Sequence, residues 1–287
     1  MKKNIVWLVS YPKSGNTWFR MFLANYLKDK ADPVSLEEIE RTPMASSAIS
    51  FEESCGLSPS ELSADEIDLY RPDVYRFLSQ NEENEKGILY KKTHDAYTLN
   101  RHNNPIFPKE ISKGVVYFIR NPLDVCVSYA SHSSREIENT LQLLLNEKAQ
   151  IAGARTDQLR QLLFSWKNHV KSWQQQNQIA LHIVRYEDMI EDPITTFTSI
   201  IKFLGLEYEE ERLKKALLNS DFRLLQQMEQ TNGFKEKPQL SKAFFREGKI
   251  GNYREHLNAS QIQRLVAYNY DTMKEFGYLD IKGNLTI

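Results

Sequence analysis

Cysteine is scarce in this chain of 287 residues, where only Cys55 and Cys126 occur. Two thiols so far apart make no disulfide framework, and no His or Cys cluster has zinc-ligand spacing. Both are read as reduced thiols. An excess of one charge is also missing: 37 Lys and Arg stand against 38 Asp and Glu, a formal net charge of −1. Without a global basic field, neither nucleic acid nor an anionic membrane is an expected partner, and any anion site has to be local. No apolar run approaches the length of a membrane span. The short run Ile5 to Val9 leads into Tyr11-Pro12-Lys13 with no small-residue cleavage site, so it reads as a buried strand rather than a signal peptide. The cytoplasm is the expected location. Repeats at solenoid periods and low-complexity tracts are absent. So is the nucleotide-triphosphate P-loop string, GxxxxGK followed by Ser or Thr.

What the sequence does have is short apolar runs alternating with longer helical patterns, the mark of parallel βαβ construction. With 41% hydrophobic and 26% charged residues, a chain of this length buries a substantial core without staples. Strands are expected at Ile5–Ser10, Gly87–Lys92, Val115–Ile119 and Leu181–Arg185. Helices are expected from Asn16, from Asn121-Pro122 through about Tyr129, from Pro193 to Gly205, and over Ser260–Phe276. Asn121 caps ahead of a first-turn proline, and Gly205 fits a C′ glycine. The stretches Pro33–Glu85, Ser133–Ala154 and Gly233–His256 lack strand signals and read as irregular insertions or lids. The expected fold is a single α/β domain over residues 1–287: a central parallel sheet flanked by helices, with a P-loop-like nucleotide-binding layout.

Ser10-Tyr11-Pro12-Lys13-Ser14-Gly15-Asn16-Thr17-Trp18 joins the first strand to its helix. There an α/β fold offers free backbone N–H groups and the positive end of a helix dipole to a phosphate. Gly15 permits close backbone approach, Ser14 and Thr17 add hydroxyls, and Lys13 adds a mobile charge. A lone KSG tripeptide reads equally as a capped βα turn; the full strand–YPKSGxTW–helix string is far more specific. Arg120 closes the run Val115–Ile119, at the carboxyl edge of the sheet where α/β ligands bind. A guanidinium there grips a phosphate with two prongs. Read alone, such an arginine is more often ion-paired or at the surface.

Together these strings resemble the PAPS-dependent sulfotransferases of the cytosolic type, PAPS being 3′-phosphoadenosine 5′-phosphosulfate. The resemblance implies that Lys13, Ser14, Gly15, Asn16, Thr17 and Trp18 hold the 5′-phosphosulfate end. Asn16 stands where the family has threonine, Lys13 meets the bridging oxygen, and Trp18 stacks on adenine. On spacing alone, Trp18 fits a core aromatic equally well. Arg120 and Ser128 fall on the family's RxPxDxxxS string, which implies a 3′-phosphate site. Tyr186, in Tyr186-Glu187-Asp188, inherits an adenine contact, with packing on the core as its bland alternative. Ser220 and Phe222 match a shorter and weaker adenine turn. Arg246 and Gly248 are carried over from the RKGxxGDW loop, from which Glu247, Asn252 and Tyr253 depart.

Lys92-Thr93-His94 ends the second strand and is similar to the family's KTHxP, although Ala96 stands where the proline would be. A histidine at that edge suits a general base. The implied mechanism is in-line attack of an acceptor hydroxyl or amine on the donor sulfur. His94 takes the acceptor proton while Lys13 and Lys92 neutralise charge on the transferring oxygens. Sulfuryl carries less charge than phosphoryl, so no metal is expected. A P-loop small-molecule kinase would need the other lysine placement and a Mg²⁺-binding aspartate, and neither is clear. A non-catalytic nucleotide-binding adaptor fits poorly beside His94. Phe51, Tyr70, Tyr97, Phe107 and Phe244 either line the pocket of a small-molecule acceptor or belong to the core. Arg254, Asn258, Ala259 and Gln263 miss the family's KxxxTVxxxE dimer string, so a monomer or a different dimer interface is expected.

Overall fold

The computed structural model describes residues 2–82, 87–153 and 157–287. In chain order it runs β1 (Ile5–Ser10), α1 (Asn16–Lys28), α2 (Ala48–Cys55), α3 (Ala64–Asn81), β2 (Leu89–Thr93) and β3 (Ser112–Ile119). Next come α4 (Pro122–Ser133), α5 (Ile137–Leu145), β4 (Gln150–Ile151), β5 (Gln161–Leu162), α6 (Trp166–Gln175) and β6 (Leu181–Arg185). The rest is helical: α7 (Tyr186–Glu191), α8 (Pro193–Leu204), α9 (Glu210–Leu218), α10 (Phe222–Asn232) and α11 (Ala259–Glu275). The four longer strands form one parallel sheet in the order β2-β1-β3-β6, the expected α/β architecture. No helix among the described residues is long and apolar enough to cross a membrane.

The backbone packs as two compact units. The first comprises Met1–Tyr11, Thr42–Tyr117 and Glu147–Ile183. In it β1 pairs with β2 in parallel, Ile5 opposite Leu89 through Val9 opposite Thr93. Every residue of β1 and β2 is buried, which explains why β1 reads as a continuous apolar run rather than an alternation. The Lys92 main chain is engaged on its other side: its N–H donates to the Pro43 carbonyl (3.0 Å), and its carbonyl accepts from Ala45 N–H (2.7 Å). The core centres on Trp7, whose ring lies edge-on to Tyr75 (5.0 Å) and Phe107 (4.9 Å); Phe107 also meets Trp173 (5.0 Å).

The second unit comprises Pro12–Arg41, Phe118–Asn146 and Val184–Ile287. Phe19, Phe22, Phe118 and Phe197 pack together within it. A further apolar cluster joins Met21, Val34, Leu36, Ile39, Leu225, Phe234 and Phe245. Caps fall where expected. Asn121 accepts from Leu123 N–H ahead of Pro122, and Gly205 adopts φ 68° after α8.

Two stretches expected to be irregular are substantially helical. Residues 33–82 hold α2, α3 and short 3-10 turns, and residues 133–153 hold α5 and β4. The far ends of those expectations, Glu85 and Ala154, lie outside the described residues. The reason is clearest in α3, which contains Pro72. Proline removes one helical N–H, leaving the Asp68 carbonyl without its helical donor, and Asn100 Nδ2 donates to that carbonyl instead (3.3 Å). Residues 233–256 are irregular as expected, apart from a short 3-10 turn at Asn252–Glu255.

Candidate active site

In the second unit, Gly15 is the N-cap of α1 with φ 98°, in the left-handed region. A side chain there would be strained, and its Cβ would stand 2.7 Å from the Tyr186 ring. The Tyr186 ring is therefore pressed against the loop backbone. It also lies beneath the Arg120 guanidinium, 4.3 Å from ring centroid to carbon, and its hydroxyl donates to the Gly248 carbonyl (3.1 Å). Gly248, at φ 64°, is packed just as closely, since an added Cβ would lie 2.9 Å from the Phe222 ring. Tyr186 and Phe222, expected near an adenine, are thus seated on the two glycines expected near phosphates.

Arg120 is almost fully buried. Its Nη1 donates to the Lys13 carbonyl (3.2 Å) and its Nη2 to the Lys249 carbonyl (2.9 Å), with Asp124 Oδ2 at 3.9 Å. Its Nε–H is buried without a partner among the described residues, as is the Ser14 hydroxyl. A buried donor left unpaired costs about 1–3 kcal/mol, so such orphans stand out. Here both belong to the two anion strings, and an acidic oxygen would satisfy either one. Lys13 itself adopts φ 69°. Its Nζ stands 4.1 Å over the Phe244 ring and 3.4 Å from His132 Nδ1.

The remaining residues of the set are less uniform. Asn16 and Thr17 open α1, Asn16 buried and Thr17 half-buried, and Ser128 is half-buried on α4. Trp18 Nε1 donates to the Ser220 carbonyl (3.0 Å), and its ring lies edge-on to Tyr186 (6.2 Å) and Phe197 (5.6 Å). Ser220 is buried and its hydroxyl donates to the Ala216 carbonyl (2.8 Å), so its visible work is to end α9 and to hold Trp18. Arg246 pairs with Glu247 (3.2 Å), the residue that departs from the family string. Asp124 is the aspartate of the RxPxDxxxS string. Its carboxylate accepts from Gly251 N–H (2.8 Å) and Tyr253 N–H (3.0 Å), fastening the loop that follows Gly248.

The first unit holds His94, half-buried just after β2. Its Nδ1 lies 2.8 Å from the Ser10 carbonyl oxygen, with Ser10 Oγ at 3.2 Å. A carbonyl can only accept, so Nδ1 carries the proton and the lone pair of the neutral ring sits on Nε2. The main chain around it is fixed on both sides. His94 N–H donates to Gln161 Oε1 (3.1 Å), and the His94 carbonyl accepts from His169 Nε2 (3.0 Å). The other nitrogen of His169 accepts from the Tyr117 hydroxyl (2.7 Å). Burial pushes the His169 ring down to about 4, with the bond to His94 opposing weakly, so it stays neutral at physiological pH. Lys92 is buried on β2 beside this centre in sequence.

His169, Arg71 and Asp95 carry no local sequence signal, and Ala96 is marked only by the missing proline. The Ala96 N–H donates to the Leu162 carbonyl (2.7 Å), a bond that proline could not make. Of the acceptor-pocket candidates, Phe51 and Phe107 are fully buried, and Phe107 belongs to the Trp7 core. Tyr70 is 39% exposed and edge-on to Phe51. Tyr97 is half-buried, its hydroxyl without a partner among the described residues. Phe244 packs with Phe234 and Phe245 in the other unit.

Comparison with known proteins agrees with the strings. A family model described as the sulfotransferase domain matches residues 3–277. Cytosolic sulfotransferase 17 of Arabidopsis thaliana is 22% identical, the match covering 98% of this chain and 78% of that protein. Amine sulfotransferase of Oryctolagus cuniculus is 22% identical, covering 94% and 81%. The crystal structure of retinol dehydratase in complex with androsterone and the inactive cofactor PAP has the same fold. Its TM-score is 0.63 at 18% identity, covering 96% of this chain and 82% of that one. The family match runs through the loop at Lys13, the His94 segment, the Arg120 string and the Gly248 loop alike, and on that ground the chain belongs to the sulfotransferase domain family.

Proposed function

We propose that this protein transfers a sulfuryl group from PAPS to the hydroxyl or amine of a small-molecule acceptor, releasing 3′-phosphoadenosine 5′-phosphate (PAP). The observation that carries the reading is the His94 ring, whose Nδ1–H is fixed on the Ser10 carbonyl so that Nε2 is the basic nitrogen. The acceptor oxygen attacks sulfur, the bond from sulfur to the bridging phosphate oxygen breaks, and His94 Nε2 receives the acceptor proton. Lys13 and Lys92 offset the negative charge that gathers on the sulfuryl and leaving oxygens. The donor is held by Ser14, Gly15, Asn16, Thr17 and Trp18, with Arg120, Ser128, Arg246 and Gly248 toward its 3′-phosphate. Tyr186, Ser220 and Phe222 shape the adenine contact. The orphaned donors on Ser14 and Arg120 and the two glycine cradles support this assignment. A small-molecule acceptor and a cytoplasmic setting are what the names of the relatives, an amine sulfotransferase and a cytosolic sulfotransferase, support. Residues 1–287 act as one domain in this reading, as a match from 3 to 277 suggests.

No partner beyond the acceptor is required. The stretch where relatives carry a dimer string here serves its own helix: Asn258 and Gln261 form a capping box for α11, and Arg254 lies over the Tyr253 ring. We therefore propose a monomer, or a dimer built elsewhere.

The test pairs two variants. His94→Ala should lower turnover about 10²–10⁴-fold while leaving PAP affinity nearly intact. Lys13→Ala should lower both, since Lys13 meets the donor before and during transfer. With acceptors of graded acidity, an acidic phenol should suffer least in the histidine variant, because it needs least help losing its proton. Near wild-type turnover of an unactivated alcohol by His94→Ala would end the base assignment.

A further inference from the structure

The residue after His94 is an aspartate that is 1% exposed, and all of its polar atoms are engaged. Asp95 Oδ1 accepts from Arg71 Nη1 (3.1 Å) and from Leu162 N–H (3.1 Å). Oδ2 accepts from Arg71 Nη2 (2.6 Å) and from the Thr93 hydroxyl (3.0 Å). In the main chain, Asp95 N–H donates to Thr93 Oγ1 (3.1 Å) and the Asp95 carbonyl accepts from Trp173 Nε1 (2.9 Å). With the bonds already described at His94, both residues of this dipeptide are fixed at N–H and at C=O.

Arg71, on α3, is 2% exposed and is held as tightly. Beyond Asp95 it donates to the Tyr75 hydroxyl from Nε (3.1 Å) and Nη2 (2.9 Å), and from Nη1 to Asp68 (3.3 Å) and the Arg160 carbonyl (3.3 Å). Asp68 in turn pairs with Arg160. A buried ion pair is weak evidence for stability, because desolvation offsets much of its attraction. What a two-pronged pair does supply is geometry, since the guanidinium fork fits a carboxylate in one plane. Here that plane adjoins the one peptide from which the His94 ring projects. It also stands beside Ala96, where the family string has proline, so the restraint on this turn is ionic rather than a proline ring.

We propose that Arg71 and Asp95 are positioning residues for His94: their buried pair holds the turn after β2 so that the imidazole keeps Nδ1–H on the Ser10 carbonyl and presents Nε2. The inference rests on reading His94 as the base, but its own prediction concerns ring geometry and is tested without any acceptor. The measurement is the tautomer of His94 in the full chain by ¹⁵N NMR above the titration of the ring, assigned with His94→Gln. The wild type should show the Nδ1–H form. The doubly apolar variant Arg71→Met with Asp95→Leu leaves neither charge buried alone, which favours folding. It should show a shift toward the Nε2–H form that predominates in free imidazoles. Its turnover of 2-naphthol with PAPS should fall about 10- to 100-fold at unchanged PAP affinity, the cost of a misplaced group.

Arg71→Lys keeps the charge without the fork and should lie between the two, and it decides the matter if the double variant does not fold. A wild-type tautomer in each folded variant overturns the proposal, whatever happens to the melting temperature. Should His94→Ala retain turnover while the tautomer shifts as stated, the base reading fails and the positioning role stands.

Discussion

His169 touches the proposed base through the His94 carbonyl, and its protonation state matters to the fold. Its Nε2–H donates to that carbonyl and its Nδ1 accepts from Tyr117, so a second proton would leave the Tyr117 hydroxyl facing a donor. Burial lowers the ring to about 4 from an ordinary 6.5. Between those values the unfolded chain binds the extra proton and the folded chain does not. The contribution is therefore complete above about pH 6.5 and is lost as pH falls toward 4. At about 1.4 kcal/mol per pKa unit the limb amounts to roughly 3 kcal/mol. Urea unfolding from pH 7 to pH 4.5 should show His169→Gln losing less stability than wild type over that range. Equal losses would assign the acid sensitivity to other groups. Nothing in the sequence marked His169, because a buried histidine between a tyrosine and a carbonyl leaves no local pattern. Asp95 is similar. Its partner Arg71 lies 24 positions away on α3, so only the folded chain reveals the pair.

Among the elements, those with strong local signals were legible to the residue or nearly so. β1, β6 and α8 fall on their expected bounds, because an unbroken apolar run, a cap with a following proline, and a terminal glycine are each decided within a few residues. α3 was not legible, since Pro72 interrupts its pattern and its remedy, Asn100, arrives from elsewhere in the chain. Its start does carry a local signal: Ser63 accepts from Glu66 N–H while Glu66 accepts from Ser63 N–H, a capping box. Ser63→Ala should cost about 1 kcal/mol of stability, measured by denaturant unfolding, with little change in PAP affinity. A loss of PAP binding without a loss of stability would show that α3 does more than carry Arg71.

For the whole molecule, a net charge of −1 means that recognition of a doubly phosphorylated nucleotide has to come from local geometry rather than a general field. The proposed donor side was readable because its two anion strings are short and each follows a strand of the same sheet. The acceptor side was not, because its candidate aromatics are scattered between core and surface and no linear string unites them. The donor site is therefore the claim that calorimetry tests most directly, titrating wild type and Arg120→Ala with PAP, adenosine 5′-monophosphate and ATP, with EDTA and with Mg²⁺. The account predicts that wild type binds PAP tightly in EDTA and ATP weakly in either medium. Arg120→Ala should cost PAP about 1.5–3 kcal/mol, the loss of one charge-assisted contact, and adenosine 5′-monophosphate much less. Mg²⁺-dependent binding of ATP with no preference for the 3′-phosphate, or equal weakening of PAP and adenosine 5′-monophosphate by Arg120→Ala, would contradict it.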